Sequence, residues 1–183
     1  MQKFSELDSA PLKICRECIY DERVPSITFD QDGVCCYCTQ IKRLKDKYKT
    51  GTSEGEEAFE DIVSRVRRDG ANKKYDCIIG VSGGTDSSYM VHLAKTKWNL
   101  RPLAVHYDNT WNTAIASSNI KRVLTSLNVD LETFVAPNVE VDDIFRSFFR
   151  AGVPEIDACT DLGFAYVLRL IAKKHNVRYI LAV

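Results

Sequence analysis

The chain has 183 residues, and its 25 Lys+Arg balance its 25 Asp+Glu, so the formal net charge is zero. Neutrality removes the simplest argument for a general nucleic-acid binder, and 45% hydrophobic with 27% charged residues argues against wholesale disorder. No apolar run approaches the roughly 20 residues that span a bilayer, and the opening MQKFSELDSAPLK lacks the apolar stretch of a secretory signal.

Five of the seven cysteines fall between Cys15 and Cys38. Without an export signal the expected compartment is the cytoplasm, where such clustering points to metal or catalysis before disulfides. Cys15 and Cys18, then sixteen residues, then Cys35 and Cys38, fit the C-x2-C…C-x2-C zinc spacing. Each pair places two thiolates on one tight turn, and two facing turns make a tetrahedral sulfur site for Zn²⁺. The Asp32-Gly33 turn between them folds the second pair back on the first. Free thiols and an iron–sulfur cluster are the alternatives, and Cys36 reads as a spare thiol. Residues 1–50 are therefore expected to form a small zinc ribbon or knuckle, and residues 51–74 a linker and helix carrying Phe59, Ile62, Val63 and Val66.

From Tyr75 the chain alternates strands and helices. Strands are predicted over Tyr75–Val81, Arg101–Tyr107, Leu131–Ala136 and Arg178–Val183. Helices are predicted from about Ser87, over Ala114–Leu127, around Ile144–Phe149 with Asp142 and Asp143 at its start, and over Asp161–His175. Phe145, Phe148 and Phe149 read as core, Cys77 as buried and Cys159 as a packed thiol at a helix start. His92 reads as structural and His175 as a helix-end residue. The alternation implies right-handed βαβ units and an α/β fold with a parallel sheet over residues 75–183. The chain stops inside an apolar strand, so a continuation beyond Val183 is expected.

The strongest chemical signal is GVSGGTDSS, Gly80 to Ser88, between the first strand and the next helix. Gly83 and Gly84 let backbone N–H groups approach a ligand; Ser82, Thr85, Ser87 and Ser88 add hydroxyls; the helix amino terminus favours an anion. This is a phosphate cradle without a Walker lysine, and Asp86 beside it suits a bridging Mg²⁺.

SGGTDS, Ser82 to Ser87, resembles the PP-loop of the ATP pyrophosphatase superfamily. The resemblance implies that ATP is split between its α- and β-phosphates, with Ser82, Gly83, Gly84, Thr85, Asp86 and Ser87 lining the pyrophosphate site and Asp86 and Ser82 serving catalysis. It also places His106, Asp108 and Asn109, at the end of the second strand, near the nucleotide. The cysteine frame from Cys15 to Cys38, the strand-two segment RPLAVHYDNTWN and the stretch around Ala158–Asp161 resemble the N-acetyl sugar amidotransferases of surface-polysaccharide (lipopolysaccharide, O-antigen) biosynthesis.

That resemblance implies a cytoplasmic ATP-dependent enzyme that turns an acetamido group into an acetamidine. Its substrate would be an N-acetyl sugar nucleotide, its cofactors Mg²⁺ and Zn²⁺, and its ammonia source a separate glutaminase subunit. Nucleic acid is not an expected partner. A tRNA thiolation enzyme is the main rival, drawing on the basic run Ile41–Lys49 and on Arg65, Arg67 and Arg68. A non-catalytic nucleotide-binding module is the other.

Overall fold

The computed structural model describes residues 11–152 and 155–182, and the chain divides after Glu60 into two compact units. In the first, two short antiparallel bridges, Ile14 with Asp21 and Phe29 with Cys35, close the cysteine-bearing turns. Helix α1 (Cys36–Tyr48) follows, with no buried residue. Its amino terminus is capped by the Cys35 sulfur, which accepts from the Cys38 N–H. Helix α2 (Ser53–Gly70) takes up most of the 51–74 stretch expected to form a linker and helix.

The second unit is an α/β fold. Strands β1 (Cys77–Gly80), β2 (Pro102–Asp108), β3 (Asp130–Val135) and β4 (Tyr179–Leu181) form one parallel sheet in the order β3-β2-β1-β4. Between them run α3 (Thr85–Thr96), α4 (Ala114–Leu127), α5 (Asn138–Ala151) and α6 (Ala158–Lys174). Successive side chains of β1 point to opposite faces. Cys77, Ile79 and Val81 enter a core with Val63 and Val66 of α2, Val91 and Ala94 of α3, and Ile120 and Leu124 of α4. Ile78 instead joins Leu103, Val105 and the α6 residues Val167, Leu168 and Ile171. Burial on both faces explains why β1 reads as an unbroken apolar run. It also pushes the Cys77 thiol up to about 12, as expected of a buried cysteine.

Several expectations are corrected. Helix α3 starts at Thr85, not near Ser87, because Gly84 takes the extended conformation of an N-cap and the next residues already form the first turn. Helix α5 starts at Asn138, so Asp142 and Asp143 lie inside it. Of the three phenylalanines expected in the core, Phe145 is buried with Ala136 and Val141, whereas Phe149 is 64% exposed. Fourteen residues of helix turn more of the side chains outward than a short apolar helix would. Phe59 and Ile62 are also exposed on α2, whereas Val63 and Val66 are buried. His92 is an exposed residue stacked on Tyr89. The final strand is described over Tyr179–Leu181, and Val183 lies outside the described residues.

An ion pair between buried Asp76 and the half-exposed Arg101 anchors the amino ends of β1 and β2. Asp76 is 3% exposed, and its two oxygens accept from the Arg101 guanidinium at 2.5 and 3.2 Å and from the Arg101 N–H at 2.8 Å. Arg101 also donates to the carbonyls of Gly70 and Lys73, which ties the end of α2 to the sheet. No helix among the described residues is long and apolar enough to cross a membrane.

Candidate functional site

The strand order sets the place of the site. The chain runs outward from β1 through β2 to β3, then returns to the other side of β1 for β4. In an open α/β sheet, ligands bind beyond the carboxyl ends of the strands where the order reverses. The Ser82–Ser88 loop leaves the carboxyl end of β1 at that position.

Gly83 has φ +81°, and a Cβ there would sit 2.3 Å from the carbonyl oxygen of Ala116, so glycine is required twice over. Asn119 donates to the Gly83 carbonyl at 3.1 Å, which holds the loop against α4. The Ser82 N–H donates to Ser87 Oγ at 3.3 Å, the Gly84 N–H to Ser82 Oγ at 3.4 Å, and Ser88 Oγ to the Gly84 carbonyl at 2.7 Å. No side chain caps α3. Its first-turn N–H groups therefore remain available to an anion, and the helix dipole adds to their attraction. Ser82, Gly84, Thr85 and Asp86 are exposed, whereas Gly83 and Ser87 are buried. The loop is thus rigid at its base and open at its rim.

Two cavities flank it. One of about 260 Å³ is lined by Ser82, His106, Asn109, Asn112, Thr160 and Phe164. The other, of about 440 Å³, is lined by Gly84, Thr85, Ser88, Tyr89, His92 and Asn119. Asp108 does not line either. It borders a larger groove of about 630 Å³ between α4 and the edge strand β3, whose wall it shares with His106. The structure therefore brings His106 and Asn109 to the loop-side cavity and sets Asp108 one wall behind it. Asn112 and Thr160 lie within the stretches that carry the resemblance but are not singled out there as site residues, and Phe164 is not singled out at all. Asn112 is the last residue of the strand-two motif and follows its turn, and the α6 residues reach the cavity only through the tertiary fold. Asn109 joins the two segments by donating to Thr160 Oγ1 at 3.2 Å.

His106 is 8% exposed and both its ring nitrogens have partners. Nδ1 lies 2.8 Å from the carbonyl oxygen of Val81, which only accepts, so Nδ1 carries the proton. Nε2 then accepts from Asn112 Nδ2 at 3.2 Å, and the same amide donates to Asp108 Oδ1 at 2.7 Å.

In the first unit, the sulfur atoms of Cys15, Cys18, Cys35 and Cys38 all lie within 4.8 Å of one another. The Cys15–Cys38 and Cys18–Cys35 distances are 3.9 and 3.7 Å. A tetrahedron with zinc–sulfur bonds of about 2.3 Å has edges of about 3.8 Å, so the four sulfurs fit that ion. Backbone N–H groups of Glu17 and Cys35 donate to Cys15 Sγ at 3.4 and 3.3 Å. Burial raises the Cys15 thiol, but the N–H groups of Glu17, Cys35 and Cys18 outweigh it and bring it down to about 6. Cys38 is pushed up to about 12 by its hydrogen bond with Cys18 and by burial. Cys36 lies outside the set and lines a cavity with Thr28 and Arg43.

No protein-family profile matches the chain. It is 27% identical over 168 residues to the uncharacterized protein MJ1599 of Methanocaldococcus jannaschii, covering 91% of this chain and 57% of the relative. The chain thus spans little more than half the length of that protein. Among solved structures it is similar to an NH3-dependent NAD synthetase from Campylobacter jejuni in complex with nitrate (TM-score 0.48, 14% identity, 67% of this chain and 53% of the other). It is also similar to an NMN synthetase from Francisella tularensis (TM-score 0.44, 19% identity, 66% and 51%). A third likeness is to an NAD+ synthetase from Burkholderia pseudomallei (TM-score 0.38, 20% identity, 66% and 57%).

Proposed function

We propose that this chain carries the nucleotide-activating part of an ATP-dependent, AMP- and pyrophosphate-forming amidotransferase. The observation that supports it is the open Ser82–Ser88 loop at the switch point of the sheet, with Gly83 locked and the first-turn amides of α3 uncapped. In this reading the amides between Gly83 and Ser87 and the hydroxyls of Ser82 and Ser87 hold the β- and γ-phosphates of ATP. The nucleoside extends toward the cavity bounded by His106, Asn109 and Asn112. Mg²⁺, when bound, neutralises charge on the pyrophosphate, and Asp86, exposed in the first turn of α3, is the residue to hold it. The Cys15, Cys18, Cys35 and Cys38 site, with four protein ligands, is structural and leaves no open position for chemistry.

The proposed acceptor is the acetamido group of an N-acetyl sugar nucleotide, supported by the resemblance of the cysteine frame and the strand-two segment. An amide carbonyl is a poor electrophile. Its oxygen attacks the α-phosphorus, the bond to the β-phosphate oxygen breaks and pyrophosphate leaves. Ammonia, supplied by a separate glutaminase, then adds to the imidate carbon; the carbon–oxygen bond breaks, AMP departs and a proton is lost to give the acetamidine. The chain's own task is to align the groups and fix the leaving pyrophosphate.

The test is product analysis with MgATP, ammonium and either an N-acetyl sugar nucleotide or tRNA. We expect AMP and pyrophosphate in equal amounts with the sugar nucleotide. Asp86→Ala is expected to lower that rate at least about 100-fold with zinc content unchanged. Formation of ADP and phosphate, full turnover by Asp86→Ala, or AMP formation that depends on tRNA would reject this assignment.

A further inference from the structure

The first peptide of the loop is fixed at both ends. The Val81 N–H still belongs to the sheet, donating to Val105 at 2.9 Å. The carbonyl of Val81 accepts from His106 Nδ1, and the N–H of Ser82, the other side of the same peptide plane, donates to Ser87 Oγ. The tilt of that plane decides where the following amides of Gly83, Gly84 and Thr85 point. His106 therefore governs the entry to the loop without lying in it.

His106 can do this only as the Nδ1–H tautomer with its ring held in one orientation. A carbonyl at Nδ1 selects the tautomer, and a donor at Nε2 completes it. That donor is Asn112, four residues beyond the carboxyl end of β2. Its amide nitrogen has two protons and two acceptors, His106 Nε2 and Asp108 Oδ1. Asp108 is held in turn by the Thr110 N–H, which donates to the same Oδ1 at 2.8 Å. Both acceptors demand the NH2 side of the amide, so the orientation of Asn112 follows from its partners.

We infer that Asn112 is a positioning residue for the phosphate loop: through His106 it fixes the Val81–Ser82 peptide from which the loop's anion-binding amides are aimed. The inference rests on the reading of that loop as a pyrophosphate cradle. It makes the strand-two segment part of the phosphate site as well as a neighbour of the nucleoside.

Inorganic pyrophosphate with Mg²⁺ is the probe, because it lacks the nucleoside that would fill the Asn112 cavity. Asn112→Leu removes both donors with little change of volume and no new charge. Calorimetric titration of the full chain is expected to show roughly tenfold weaker pyrophosphate binding in Asn112→Leu than in the wild type. Long-range ¹H–¹⁵N spectra of the imidazole are expected to show Nδ1–H in the wild type and loss of the Nε2 hydrogen bond in the variant. Unchanged pyrophosphate affinity in Asn112→Leu, or an Nε2–H tautomer in the wild type, overturns the inference. If Asn112→Leu does not fold, Asn112→Ser takes its place with the same expected loss, and the wild-type spectrum decides independently. Failure of the wild type to bind pyrophosphate removes the cradle itself, which is a different result from a variant that binds as well as the wild type.

Discussion

Gly83 concentrates the demands on the loop in one residue. Its positive φ and the Ala116 carbonyl 2.3 Å from a would-be Cβ leave no room for any side chain. Gly83→Ala is expected to lower the free energy of unfolding by about 2–4 kcal/mol, combining backbone strain with overpacking, and to abolish pyrophosphate binding. Chemical denaturation and titration check both, and a variant as stable as the wild type would contradict the geometry. This residue was legible because a Gly-Gly pair between an apolar strand and a helical pattern has few uses. Asn112 was not legible. Its role depends on which nitrogen of His106 faces Val81, and no spacing in the sequence encodes that. The Asp76–Arg101 pair was hidden for a similar reason: the partners lie 25 residues apart and meet only because β1 and β2 are neighbours.

At the scale of elements, the alternation of β1, α3, β2 and α4 follows from patterns that local sequence carries well. Strand β1 is apolar throughout because both faces are covered, and α4 matches its predicted range because Thr113 caps its start and Asn128 ends it in the left-handed conformation. Helix α5 was harder to delimit. Only its Val141 and Phe145 are buried, so the apolar residues Ile144 and Phe149 gave a misleading phase. The two cysteine turns are elements of another kind, held by sulfur as well as by hydrogen bonds. The chain is expected to bind one zinc ion, and Cys35→Ser to lose it, because the change removes a buried ligand whose sulfur accepts from the Cys38 N–H, and the neighbouring Cys36 lies outside the four-sulfur set. Metal analysis decides this. Stoichiometric zinc retained by Cys35→Ser would contradict the four-sulfur assignment.

For the whole molecule, the chain divides into two compact units. The first has little apolar interior, and its described order centres on the cysteine set. The second has cores on both sheet faces and presents one glycine-rich loop where the strand order reverses. The α/β class was legible from alternation alone, whereas the order β3-β2-β1-β4, which puts the loop at the reversal, emerged only from the fold. The account stands on the backbone of that loop serving as the receptor for two linked phosphoryl groups. Its most direct measurement is the movement of backbone amide resonances as Mg²⁺ pyrophosphate is added. The account predicts saturable shifts at Gly83, Gly84, Thr85, Asp86 and Ser87, larger than at any residue of the first unit. Unmoved resonances at these five amides, under conditions where MgATP binds elsewhere or not at all, would contradict it.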